Sequence, residues 1–295
     1  MTQSPLIRVV GEVMVDVLAR TSTAPAPGSD APASISDEEG GSGANLAAWL
    51  ADLGVPVELV ARVGDDARGA TALGVLDAAG VTLRVARDPE RATGRCVVIV
   101  TPDGERTMFP DPGANARLAV SDLDGLPWRA GDHLHVSGYS LLRQGSRAAA
   151  LTALERARAA ALSVSIDASS HALLLALGPE AFLAWLAPGD LLLANADEAA
   201  ALSGYSDPLD SLRALTARDL LVVVKRGPDG AVVGKGDQRW SAPAEPAENR
   251  DTTGAGDAFA AGFLASWTRG ADIEEALRLA TRVAARAVSS QGGRP

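Results

Sequence analysis

Asp251-Thr252-Thr253-Gly254-Ala255-Gly256-Asp257 sets a glycine-rich turn directly ahead of an apolar helix that continues Ala258-Phe259-Ala260-Ala261-Gly262-Phe263. Gly254 and Gly256 let the backbone bend tightly and approach a ligand. The unpaired N–H groups of a helix start, with the helix dipole behind them, attract negative charge. Such a turn suits a phosphoryl group in transit, with Gly254, Ala255 and Gly256 as its donors. Asp257, in the first helical turn, is placed to take a proton from an attacking hydroxyl, and near those amides its carboxylate is expected to stay ionised. The same residues also make a plain helix start, capped by Thr253 and with Asp257 set favourably against the dipole. They are not a P-loop, because Gly-x-x-x-x-Gly-Lys-Ser/Thr is absent.

Other polar residues stand where elements end. Asp16 closes the run Val13-Met14-Val15-Asp16 and reads by itself as a strand-end acid. Asn45 reads as a helix-start residue. Asn195-Ala196-Asp197-Glu198 follows a strand and has capping-box spacing, Asn195 at the cap and Glu198 three residues on. Lys225-Arg226-Gly227-Pro228-Asp229-Gly230 reads as a β-turn. His133, His135 and His171 lack metal-ligand spacing. Cys96 is the only cysteine and stands in the apolar run Cys96-Val97-Val98-Ile99-Val100, so it reads as a packing residue.

The elements that position these residues alternate. Leu6 to Leu18 reads as a first strand. Residues 21–43, rich in Ala, Pro, Ser, Gly and acids, read as an exposed excursion with short strands. Helices are expected over Asn45–Leu53 and Ala67–Ala79, with strands at Val57–Val63, Val81–Ala86, Gly94–Val100 and Arg106–Phe109. Pro102-Asp103-Gly104 signals a hairpin turn between the last two. In the second half, strands at His133–Val136, Ser163–Ile166, Asp190–Ala194 and Leu220–Val224 alternate with helices at Ser146–Ala161, Glu180–Leu186, Asp197–Leu202 and Leu209–Ala217. A small antiparallel pair, Ala231–Val233 and Gln238–Ser241, and two helices, Ala255–Thr268 and Ile273–Val288, follow. The alternation implies an α/β fold with a mostly parallel sheet between helical layers, whose ligands bind beyond the carboxyl ends of the strands.

The 295 residues carry a formal net charge of −10. That balance argues against nucleic-acid and anionic-membrane partners, though backbone amides can still bind an anion. The first residues lack a signal-peptide pattern, and no apolar run spans a bilayer, so a cytoplasmic protein is expected.

Asp251–Phe263 resembles the C-terminal signature of the ribokinase-like (PfkB) carbohydrate kinases. Gly40-Gly41-Ser42-Gly43-Ala44-Asn45, Leu53-Gly54 and Val63-Gly64-Asp65-Asp66-Ala67-Arg68-Gly69 resemble the N-terminal one. The resemblance runs from about Val9 to Gly293. It implies a single three-layer α/β/α kinase domain over residues 1–295, with a small β lid from about 17–41 and 94–111. It implies transfer of the ATP γ-phosphate to a substrate hydroxyl, with Asp257 as base and Gly254 to Gly256 as anion hole. Asp16, Gly41, Ser42 and Asn45 then bind the substrate. Asn195, Lys225, Gly227, Gly230 and Thr281 border ATP, and Glu198 organises Mg²⁺ through water. The backbone around Asp251 and Thr253 resembles a monovalent-cation site, whose carbonyls would hold K⁺. A homodimer is left open.

The acceptor is less defined. Ser137-Gly138-Tyr139 resembles the segment in fructokinases and keto-deoxygluconate kinases. The latter group binds its substrate carboxylate with arginines, and the matching places here read Asp111 and Asp167-Ala168-Ser169-Ser170-His171. A neutral sugar is therefore expected. The alternatives are a nucleoside, with Trp49, Tyr139 or Phe109 as a wall for the base, behind it a keto-deoxygluconate acceptor, or a catalytically inactive sugar-binding protein. A hydride-transferring Rossmann enzyme is excluded by the missing Gly-x-Gly-x-x-Gly.

Overall fold

Leu6 to Leu18 reads as one apolar run, yet the chain divides it between two sheets. The structure, a computed structural model, describes residues 4–295 apart from 104 and 249. Strand β1 (Ile7–Val10) stops at Gly11, and β2 (Met14–Thr21) starts after Val13. Asn115 fills the break: its Oδ1 accepts from the Val13 N–H at 3.1 Å and its Nδ2 donates to the Val13 carbonyl at 2.8 Å. Asp16 therefore does not end a strand of the main sheet, as its sequence position suggested. It lies within β2, in the smaller sheet.

The first half continues with β3 (Ala33–Gly40), α1 (Ser42–Asp52), β4 (Val57–Gly64), α2 (Ala67–Ala78), β5 (Thr82–Asp88), β6 (Gly94–Val100) and β7 (Arg106–Asp111). The second half runs β8 (His133–Ser137), α3 (Gly138–Leu142), α4 (Gln144–Ala159), β9 (Ser163–Asp167), α5 (His171–Leu177), α6 (Pro179–Leu183), β10 (Leu191–Asn195), α7 (Ala196–Ser203) and α8 (Pro208–Thr216). It closes with β11 (Leu221–Lys225), β12 (Ala231–Lys235), β13 (Gln238–Ala242), α9 (Ala255–Trp267) and α10 (Ile273–Val288). Helix α5 is absent from the sequence reading. Ser170 caps it by accepting from the Leu173 N–H, and Gly178-Pro179 then separates it from α6, which is shorter than the helix expected there. The turn at Pro102-Asp103-Gly104 includes residue 104, outside the described residues.

Among the described residues the main sheet has the order β13-β12-β11-β10-β9-β8-β1-β4-β5. Its pairs are parallel, save the antiparallel β11–β12 and β12–β13. Alternate residues serve opposite faces. Leu191, Leu193, Leu221 and Val223 pack with α1, α2, α9 and α10, whereas Leu192, Ala194, Val222 and Val224 pack with α4 to α8. This is a three-layer α/β/α, ribokinase-like fold. The chain leaves β1 towards β4 and β5 on one side and returns to β8 on the other. The switch point thus falls between β1 and β8, where ligands are expected in such sheets.

Strands β2, β3, β6 and β7 form the small β lid, ordered β3-β2-β6-β7. Strand alternation and register put Met14, Asp16, Leu18 and Arg20 on one face of it with Cys96, Val98 and Arg106. Met14, Leu18, Cys96 and Val98 make a small apolar cluster there. No described helix is long and apolar enough to cross a membrane.

Candidate active site

Helix α9 begins where Gly254 turns left-handed, at φ 71°. A Cβ on Gly254 would stand 2.5 Å from the Gly293 carbonyl oxygen, so glycine is required both by the turn and by the close approach. The N–H groups of Gly256 and Asp257 have no acceptor among the described residues. They are the orphan donors of a helix start and face an anion's place.

Asp257 is gripped from α1. Ser42 Oγ donates to its Oδ1 at 2.8 Å, and Asn45 Nδ2 donates to its Oδ2 at 3.0 Å. Helix α1 can reach it because Gly41, at φ 96°, carries no Cβ. One there would meet the Glu12 carbonyl oxygen at 2.6 Å. Burial pushes the Asp257 carboxyl up to about 7, against the two hydrogen bonds, with Asp167 adding to the rise and Lys225 opposing it. The expectation of a fully ionised carboxylate is revised accordingly: burial outweighs the nearby amides.

Lys225 ends β11 opposite Asn195, which ends β10. Its Nζ donates to Asp167 Oδ2 at 2.9 Å, and a Cβ on Gly256 would stand 3.4 Å from that nitrogen. Glu198 is pushed up to about 7 by burial and by Asp167, with Lys225 pulling the other way. Asn195 and Glu198 form the expected capping box, at 2.8 Å in each direction. The box fixes Glu198 through one oxygen and leaves the other free of protein donors. Asp167 and Glu198 thus present two carboxylates to one ammonium. That excess suits a hydrated Mg²⁺ held through water. No group of three or more described His, Cys, Asp or Glu side chains could cage a bare metal.

A cleft of about 510 Å³ opens beside this cluster, lined by Lys225, Gly227, Gly230, Gly256 and Thr281 among others. It contains four of the five residues expected at ATP; Asn195 is not in its lining. Asp16 lies across from it on the lid. Burial pushes its carboxyl up to about 6, helped by Glu38 and Glu39 and opposed by Arg294. None of the hydrogen bonds among described residues engages the Asp16 carboxylate, which leaves it for a ligand.

The side chains of Asp251 and Thr253 meet the lid. The Arg106 guanidinium, from the lid, bonds both the Asp251 carboxylate and the Thr253 hydroxyl. The Thr253 and Gly292 N–H groups take the remaining Asp251 positions. Despite its burial, these bonds lower the Asp251 carboxyl to about 2. Both side chains are spent on the guanidinium, so the K⁺ expectation rests on the backbone carbonyls there.

Sequence reasoning missed Asp167, Arg106 and Arg294 as site residues. Arg294 is deepest. Its Nε donates to Asn45 Oδ1 at 3.3 Å, its Nη2 donates to the Gly40 carbonyl at 3.0 Å, and its Nη1 lies 3.7 Å from Glu39. It thereby orients the amide that holds Asp257. No local signal marks a penultimate arginine for this. His133 and His135 are buried in β8 against β9: His133 is bonded to Ser163 and Ser165, and His135 to Ser165.

The description "pfkB family carbohydrate kinase" belongs to the family model that matches residues 4–295. An ATP-dependent ribose-1-phosphate kinase from Halopiger xanaduensis is 35% identical, over 98% of this chain and 94% of that protein. Adenosine kinase from Sinorhizobium meliloti superposes with a TM-score of 0.84 at 26% identity, covering 99% of this chain and 96% of that one. Aminoimidazole riboside kinase from Salmonella enterica, solved with aminoimidazole riboside and an ATP analogue, gives a TM-score of 0.80 at 26% identity, covering 98% of this chain and 95% of that one.

Proposed function

This chain belongs to the pfkB family of carbohydrate kinases, and from that premise we propose that it moves the terminal phosphoryl group of ATP onto a hydroxyl of a small furanose sugar. The observation that carries this reading is the grip of Ser42 and Asn45 on Asp257, beside the free N–H groups of Gly256 and Asp257. A half-buried carboxylate held by two side-chain donors at the mouth of a helix start is well placed to meet a proton donor.

Asp257 orients the acceptor hydroxyl in line with the phosphorus and takes its proton late, as that oxygen turns acidic. The Gly256 and Asp257 amides receive the developing negative charge, with the Lys225 ammonium close behind. ATP lies along the cleft bordered by Gly227, Gly230 and Thr281. Glu198 and Asp167 would hold Mg²⁺ through water, and the ion would supply neutralisation of phosphate charge. The lid's Arg106, fixed to Asp251 and Thr253, closes the distal end of the site. Asp16 accepts from the other sugar hydroxyls.

The ribosyl unit in the names of the halobacterial and Salmonella relatives supports a furanose. A nucleoside is the second reading, favoured by Met108, 54% exposed and level with Val98 on the lid, which offers an apolar cover for a base. The test is acceptor-dependent ADP release over free pentoses, ketohexoses, their phosphates and nucleosides. If none of these raises ADP release above the acceptor-free rate, the reading fails.

The argument for a neutral acceptor rested on two positions, Asp111 and the Asp167 segment. The structure brings arginines to the cleft from other elements, so those two positions do not decide the acceptor's charge.

Arg294 acts through Asn45. Arg294→Met is expected to lower kcat roughly tenfold, the usual worth of an orienting charged hydrogen bond. It also removes a cation near Asp257, so the acid limb of the rate profile moves to higher pH. Asp167 and Lys225, the other charges facing Asp257, are unchanged. Arg294→Lys should restore part of both. An unmoved limb in Arg294→Met would limit Arg294 to packing.

A further inference from the structure

We infer that the acceptor carries an anionic oxygen group, a phosphate ester or a carboxylate, on the side away from the reacting hydroxyl, and that Arg143 receives it. This rests on the phosphoryl-transfer reading above.

Arg143 follows α3, and α3 stands at the switch point. Strand β8 lies between β1 and β9. Its last residue, Ser137, pairs with Asp167 and donates from its Oγ to Glu12 Oε1 at 3.0 Å. Gly138 presses so close to the next loop that a Cβ on it would be 2.3 Å from the Asp167 carbonyl oxygen. Helix α3 is thereby seated over the floor of the cleft. Tyr139 and Arg143 are four residues apart, with the guanidinium carbon 5.1 Å from the ring centroid. The Tyr139 hydroxyl is driven up by burial and by Glu12, Glu198, Asp167 and Asp257, so the ring reaches over the catalytic carboxylates. Arg143 stands one step outward from it. Its charge is felt by Glu12 in the floor and by Cys96 on the lid's inner face. Geometry puts the guanidinium just past α3, which follows the switch-point strand β8, and against the Tyr139 ring.

The other arginines of the cleft are committed. Arg106 is bound to Asp251 and Thr253, Arg294 to Asn45 and Gly40, and Arg20 lies 3.7 Å from Glu38 and 3.8 Å from Asp251. Arg143 differs. Its guanidinium makes none of the hydrogen bonds or ion pairs found among the described residues. Glu12, the acid beneath it, spends one oxygen on Ser137, and desolvation favours its neutral form. A half-buried guanidinium with an aromatic face behind it and no carboxylate in contact is a planar donor set for an oxyanion. The less specific reading is that Arg143 only stacks on Tyr139 and eases the burial of Glu12.

The test compares kcat/KM, at saturating ATP and Mg²⁺, for two matched acceptor pairs. One is a free pentose against its 1-phosphate with the primary hydroxyl open. The other is a neutral deoxyhexose against a keto-deoxy sugar acid. Wild type should favour the anionic member of one pair by about 10- to 100-fold, the worth of a charge-assisted contact. Whichever pair shows it separates phosphate from carboxylate. Arg143→Met should erase that preference with the neutral member little changed, and Arg143→Lys should recover part of it. Thermal melting of both variants guards against misfolding. The inference is overturned if wild type uses the neutral members at least as well. It is equally overturned if Arg143→Met slows both members alike, as a purely structural stack predicts. Transfer to none of the four would overturn the phosphoryl-transfer reading and this inference with it.

Discussion

Exchange of Asp257 for Asn is expected to lower kcat by roughly 10²–10⁴, the usual worth of a general base, and to leave KM for ATP little changed. Asn keeps the shape and can still meet Ser42 and Asn45, whose present bonds to Asp257 are 2.8 and 3.0 Å. What it loses is the capacity to take a proton. The ATP cleft lies on the far side of Gly256 and is lined by other side chains, so nucleotide binding should persist. A helix-start role alone predicts a different result: a stability change on the order of 0.3–1 kcal/mol from the dipole and normal turnover. Measuring kcat and the melting temperature of this one variant separates the two. A folded Asp257→Asn protein with near-normal kcat would remove Asp257 from the chemistry.

Lys225→Met is expected to be the costliest change to the framework of the site. The ammonium donates to Asp167 and faces Glu198 and Asp257 as well. Despite desolvation, those acids raise its pKa, so the ammonium keeps its charge at every pH below the ordinary lysine value, and its contribution is largest where the acids are ionised. Removing one partner of a buried pair typically costs about 3–5 kcal/mol, because the other charge stays buried without it. Side-chain exposures of 15% and 12% for Lys225 and Asp167 place the pair in that class. The deficit should shrink as pH falls, since Glu198 and Asp257, both raised to about 7, then gain protons and no longer need a counter-charge. Urea unfolding of wild type and variant at pH 8 and pH 5 measures it. Equal stability at pH 8 would show that the ammonium is not compensating these carboxylates.

The turn at Gly254 to Gly256, the base candidate Asp257 and the Asn195–Glu198 box were legible because each is local. A glycine pair before an apolar run, or a cap with Glu three residues on, fixes its own geometry within one helical turn. The alternating second half was legible for the same reason: period and punctuation agree. The break at Gly11 was not, because Val9, Val10, Val13 and Met14 are all buried and nothing in their order says that two sheets divide them. Only Asn115, about a hundred residues away, makes the break stable. Asp167, Arg106 and Arg294 were missed on the same ground. Their partners Lys225, Asp251 and Asn45 lie 58, 145 and 249 residues away, and each is polar in a stretch where a solvated side chain explains the sequence equally well.

The most direct measurement of the central claim is the pH dependence of kcat/KM for a turned-over acceptor, from pH 5 to 9, at saturating ATP and Mg²⁺. On the proposed mechanism Asp257 acts as a carboxylate, and burial pushes its pKa up to about 7. It gains a proton as pH falls through that value, so the rate should be level above it and fall about tenfold per unit below it. Glu198 is also raised to about 7, so Glu198→Gln is measured in parallel, and the limb should survive in that variant. A profile flat down to pH 5, or a limb that vanishes with Glu198, would contradict Asp257 as the base.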